Sequence, residues 1–182
     1  MAGRTPRTAL TAFVDPLQQS LSCITYAGMV YRSYGNNEYP NEQPHVIIIN
    51  DGDPTPLLCD SNIHLSFRMF YQIVEDGTER GPWKATVSGY YYSLDDGDQK
   101  EIFAYHWHPT IGPIHFPHLH IEQGSGAKRP ELFRAHLPTG RIALEDMILC
   151  TIRDFHVQPL RDDWNDILSN NVNRFRTWRT WG

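Results

Sequence analysis

Ile102-Phe103-Ala104-Tyr105-His106-Trp107-His108, followed by Phe116-Pro117-His118-Leu119-His120-Ile121, is the stretch whose reading decides the fold. Side chains of an extended chain alternate between faces with period two. Phe103, Tyr105 and Trp107 therefore share one face of the first segment, and Ala104, His106 and His108 share the other. In the second segment Leu119 and Ile121 turn inward while His118 and His120 turn outward together. Paired across the 109–116 loop, the two segments place four imidazoles on one sheet face, with cross-strand neighbours about 5 Å apart.

Reading outward, strand signals accumulate on the N-terminal side. Cys23 to Tyr31 predicts a strand, and Val46 to Asn50 a short buried one closed by the turn Asp51-Gly52-Asp53-Pro54. His64 to Val74 and Ala85 to Leu94 follow, and Asp95-Asp96-Gly97-Asp98 predicts a hairpin turn into the 102–108 strand. The segment 117–122 is the last strand expected, and 35–44 predicts a loop. Short connections favour an antiparallel meander.

Helices bracket this run. Leu10, Phe13, Val14, Leu17 and Leu21 have helical spacing over residues 7–21, with Pro16 inside the pattern. Near the C-terminus Leu144, Met147, Ile148, Ile152 and Phe155 form one apolar stripe. From about Asp162, Trp164, Ile167, Leu168, Val172 and Phe175 form another. The expected class is α+β: an antiparallel meander sheet with an N-terminal helix and two C-terminal helices. A length of 182 residues fits a single domain over 1–182, with 157–182 a C-terminal helix and an Arg/Trp tail.

Composition narrows the class of protein. With 40% hydrophobic and 20% charged residues, the chain can bury a core. Its densest apolar runs are too short to cross a bilayer, so no membrane partner is expected. The basic start leads into no apolar stretch of signal-peptide length. Cys23, Cys59 and Cys150 are scattered and form no C-x-x-C pair, which predicts small buried thiols in a reduced, cytoplasmic setting. The net charge of −5 argues against non-specific nucleic-acid binding by the whole surface. The charge is uneven: residues 1–122 hold 7 basic against 14 acidic groups, and 123–182 hold 9 against 7, so an anionic partner prefers the C-terminal third.

Six of the nine histidines, His106, His108, His115, His118, His120 and His136, fall between positions 106 and 136. Two chemistries follow from such clustering. Imidazoles that disfavour each other's charge stay partly neutral near pH 7, so one neutral and one protonated ring serve as base and acid. Alternatively, three or four neutral rings bind zinc or another transition metal. His106, His108, His118 and His120 are the candidate catalytic residues. The first reading asks for no cofactor, and the alternative asks for a transition metal such as zinc. His45 and His64 stand apart and are expected to be structural.

Ile102 to His108, Phe116 to Ile121 and Pro138 to Leu149 together resemble the TumE-type toxins of bacterial toxin–antitoxin pairs. Those toxins carry a Y-H-x-H-like strand, an F-P-H-rich strand and a short helix that starts on acidic residues. The likeness spans residues 60–156. It implies a toxin-like component acting on RNA, an endoribonuclease by histidine acid–base chemistry at His106, His108, His118 and His120. RNA and a cognate antitoxin or other protein are the partners it implies. In that family F-P-H is followed by further His and a Lys, whereas here Leu119 intervenes and no Lys follows.

Substrate-binding candidates come from the basic third. Lys128, Arg129, Arg134 and Arg141 flank His136 and would supply the positive charge that the missing Lys would have given. Arg134, His136 and Arg141 are the choices among them. The interleaved Arg174-Phe175-Arg176-Thr177-Trp178-Arg179-Thr180-Trp181 adds Trp178 as a stacking group for single-stranded RNA, or as an anchor for a partner protein. Asp95, Asp96 and Asp98 lack the closing Glu of a calcium loop and are expected to form a turn. Tyr90, Tyr91 and Tyr92 are expected to be sheet packing. Three readings stand: an RNA-directed acid–base enzyme, a metal-dependent enzyme with an all-His site, and a non-catalytic protein-interaction module.

Overall fold

A computed structural model describes residues 2–32, 45–78, 81–129 and 131–178. The loop expected over 35–44 and the last part of the Arg/Trp tail, 179–182, lie outside the described residues. The fold is α+β, a largely antiparallel sheet with one N-terminal and two C-terminal helices, as the pattern predicts.

Helix α1 runs Pro6–Leu21. Its start is set by Thr5, whose side chain accepts from the Thr8 backbone N–H while the Thr8 hydroxyl accepts from the Thr5 backbone N–H, and Pro6 suits the first turn. Pro16 does not break it. The Pro16 carbonyl accepts from the side chain of Asn171 at 3.0 Å, and the residue is buried among the helices.

Among the described residues nine strands form one sheet: β1 (Ala2–Gly3), β2 (Met29–Arg32), β3 (His45–Ile49), β4 (Thr55–Pro56), β5 (His64–Thr78), β6 (Gly81–Asp95), β7 (Glu101–Trp107), β8 (His118–Ile121) and β9 (Leu137–Pro138). Their order is β2-β3-β5-β6-β7-β8-β9, with β1 pairing β6 and β4 pairing β5. The strand expected from Cys23 begins only at Met29. Cys23 and Ile24 are instead buried in the turn that leaves α1, where the Leu160 amide donates to the Cys23 carbonyl. The hairpin turn at 95–98 is present, and Asp96 closes it by accepting from the backbone N–H groups of Asp98 and Lys100 at 2.9 Å each.

The helices α1, α2 (Leu144–Asp154) and α3 (Trp164–Trp178) pack on one face of the sheet. Val14, Leu17 and Leu21 meet Met69, Tyr90 and Tyr92 there, and Phe103 meets Phe155 with ring centroids 5.6 Å apart. Tyr90 and Tyr92 stack at 4.6 Å within this core. By alternation the neighbours of these residues, Tyr91, Ser93, Ala104 and His106, point to the opposite face. The candidate site lies on that face. Among the described residues no helix is long and apolar enough to cross a membrane.

Candidate metal centre

Register brings the histidines together. β7 and β8 pair His106 with His118 and Ala104 with His120. β8 and β9 pair Leu119 with Leu137 and His118 with Pro138, so the residue before β9, His136, arrives opposite His120. The ring centroids lie 4.7 Å apart for His106 and His120, 5.5 Å for His106 and His118, and 4.9 Å for His118 and His120. His136 lies 4.4 Å from His120 and 5.0 Å from His118. His106, His118 and His120 each offer a ring nitrogen within 4.8 Å of the other two.

Local hydrogen bonds orient these rings. His118 is buried, and its Nδ1–H donates to the Phe116 carbonyl at 2.8 Å, which leaves Nε2 as the free lone pair. His120 Nδ1 faces Glu122 Oε1 at 3.9 Å, which leaves its Nε2 for the cluster. His106 Nε2 is shut away from solvent and has no hydrogen-bond partner. Such a buried, unmet polar nitrogen is costly and asks for an explanation. On the β6 side Tyr91 lies beside His106 at 4.7 Å, and its hydroxyl donates to Glu101.

Burial and neighbouring charge disfavour the protonated form of three of the rings. Burial, then the charges of His120, His118, His108 and His136, pull His106 down to about 3. Burial, then His136 and His118, pull His120 down to about 4. His108 is lowered as well, by burial and then by His118 and Arg68. Neutral imidazole is the form that coordinates metal.

The other candidates are placed as follows. His108 joins the cluster at its edge, 5.9 Å from His106 and edge-on to Phe70 at 6.2 Å. Gly89 lies beside them, where a Cβ would meet the Trp107 carbonyl oxygen at 2.9 Å. His115 is exposed and donates from Nδ1 to the Pro109 carbonyl at 2.8 Å, bracing the loop rather than entering the cluster. Arg141 lies away from it, with its guanidinium carbon 3.5 Å from the centre of the Trp107 ring on the helix side of the sheet. Arg134 ends a 3-10 turn, Leu132–Arg134, and Trp178 ends α3, but the side chains of both lie outside the described residues.

The face also carries Tyr91, expected from sequence as sheet packing only, with Glu101, and Glu122 beside His120, neither of which the sequence pointed to. Both were legible in principle, since Tyr91 sits in the same alternation as His106 and Glu122 lies two residues beyond His120. The cysteines form no disulfide, and burial pushes the Cys23 and Cys150 thiols up to about 11, away from nucleophilic chemistry. No family model, curated protein or solved structure matches the chain, so it is on the geometry of His106, His118 and His120 that its chemistry has to be argued.

Proposed function

We propose that the chain is a metal-dependent hydrolase in which His106, His118 and His120 hold one transition-metal ion, zinc by the nature of the ligands, and the ion activates a water. One observation carries this reading: three ring nitrogens converge within 4.8 Å, and the buried Nε2 of His106 has no partner. A cation at the centre of the triad would satisfy that nitrogen. Three protein ligands leave a fourth position for water, the arrangement of catalytic rather than structural zinc sites. A bound water so polarised ionises near neutral pH and becomes a nucleophile.

Supporting groups are in place around the triad. The Phe116 carbonyl fixes His118, and the Glu122 carboxylate stands behind His120, as carboxylates and carbonyls stand behind metal-bound imidazoles generally. The depressed pKa values of His106 and His120 suit coordination, which takes neutral imidazole.

The test is metal analysis of the purified protein together with hydrolysis of an activated ester such as 4-nitrophenyl acetate. The expected result is one tightly held zinc per chain, with the metal and the hydrolysis lost together in His106→Ala or His120→Ala. A protein that holds no metal but cleaves single-stranded RNA in the presence of chelator would overturn the proposal in favour of imidazole acid–base catalysis. A protein with neither metal nor activity would leave the interaction module.

A further inference from the structure

His136 is the fourth imidazole of the cluster, and its position differs in kind from the other three. His106, His118 and His120 stand on β7 and β8, within the sheet. His136 arrives from outside, at the end of the segment that follows β8 and just before β9 at the sheet's edge. It is exposed, whereas His118 is buried and His106 and His120 are half-buried. Its ring is close to His120 and His118, at 4.4 and 5.0 Å, and it stands outside the set of nitrogens that converge within 4.8 Å.

An exposed imidazole adjoining two ligands but outside the ligand set stands where the solvent side of a bound ion would be. Three ligands from one sheet face occupy one side of a tetrahedral ion, so its open position points away from the strands. The exposed residue that borders this side of the cluster, beside His120 and His118, is His136. We propose that His136 is a catalytic residue that hydrogen-bonds the exogenous ligand at this open position, a water, hydroxide or small anion. The inference rests on the metal reading of the triad.

Register supports the placement independently of ring distances. Pairing of Leu119 with Leu137 sends both leucines to one face, so His136 and Pro138 must lie on the face of His118 and His120. His136 is the residue through which this segment brings a ring nitrogen to the histidine face.

The experiment uses full-length protein loaded with cobalt(II), with sodium azide as the exogenous ligand, followed by visible absorption. His136→Ala and His136→Gln are compared with the wild type and with His106→Ala. Both His136 variants are expected to bind one cobalt with undiminished affinity. Azide affinity is expected to fall about tenfold in His136→Ala, the loss of one hydrogen bond to a charged group, and to recover largely in His136→Gln. Unchanged azide affinity in His136→Ala would overturn the proposal. So would a loss of cobalt as severe as that of His106→Ala, which would make His136 a ligand. Failure of the wild type to bind cobalt would instead refute the metal reading itself, and this inference with it.

Discussion

His106 and His120 stack with ring centroids 4.7 Å apart and planes at 25°, although the strand register sets His120 opposite Ala104 rather than opposite His106. The contact is therefore diagonal, and the small side chain of Ala104 leaves His120 free to lean across. Ala104 is fully buried. Ala104→Leu would fill that space and push the His120 ring outward. The expected outcome is a folded protein that loses about 1–3 kcal/mol in urea denaturation, as overpacked sites do. Its zinc affinity is expected to fall about tenfold or more, the usual cost of disturbing the support of a ligand. Unaltered zinc binding in a folded Ala104→Leu protein would show that the diagonal stack does not define the site.

Acid is expected to destabilise the metal-free protein through the same rings. His106 and His120 are held at about 3 and about 4, mainly by burial and then by neighbouring imidazoles. A free histidine titrates near about 6.5. Between these values the unfolded chain binds more protons than the native one, so stability rises with pH across that interval. The contribution is whole above the unfolded value and is lost as pH falls from about 6.5 through about 4 toward about 3. Urea midpoints of chelator-treated protein across this range check the slope. His106→Gln should flatten it, and an equally steep slope in that variant would assign the acid sensitivity to other groups.

Much of the fold was legible because periodicity there is strict. Phe103, Tyr105 and Trp107 against Ala104, His106 and His108 leave one way to lay the strand on a core, while the register that sets His106 opposite His118 is one of several that keep these faces. Pro16 was the ambiguous sign in α1. Pro16 can donate no amide to the Ala12 carbonyl, but the residue is buried among the helices, a tertiary contact that a sequence pattern cannot weigh. The Cys23–Gly28 stretch misled for a similar reason. Ile24 is buried by a turn against the helices, not by strand neighbours, and Tyr26 is exposed. In the site, facing was readable but reach was not. His136 and Arg141 flank β9 in sequence, yet β9 delivers one to the histidine face while the other lies over Trp107.

The helix junction should respond to pH in the opposite direction from the imidazoles. Glu145 of α2 is buried against α1, where Ser20 Oγ lies 2.8 Å from its carboxyl oxygen and accepts from Asn171 Nδ2 at 3.0 Å. Burial, helped by Asp146, raises the Glu145 pKa. A raised native value means the contribution to stability is fully present below the unfolded pKa and is lost as pH rises through the native one. Glu145→Gln keeps an oxygen acceptor and removes the charge. It is therefore expected to gain stability relative to wild type as pH rises from about 4 to about 7, read as a widening difference in urea midpoints. Asn171→Ala, by contrast, is expected to cost about 1–3 kcal/mol at either pH, because it removes two buried hydrogen bonds, to the Pro16 carbonyl and to Ser20 Oγ. A constant difference between Glu145→Gln and wild type would mean that the carboxyl stays ionised or solvated.

Arg141 is expected to act in stability and not in the site. Its guanidinium carbon lies 3.5 Å from the centre of the Trp107 ring, and Trp107 faces the helices while His106, one residue before it, faces the triad. The strand backbone separates the two. Partial burial lowers the Arg141 pKa to about 10, which leaves the side chain charged at neutral pH, so the cation–π contact persists there. Arg141→Ala should then cost about 1 kcal/mol of stability, a part-desolvated cation–π contact. Zinc stoichiometry and the KM for ester hydrolysis should stay as in the wild type. Arg141→Lys separates charge from shape: an ammonium keeps the attraction but not the planar stacking, so it should recover only part of the loss. A variant of unchanged stability but raised KM would place Arg141 at the substrate, which would require the segment after β9 to cross to the histidine face.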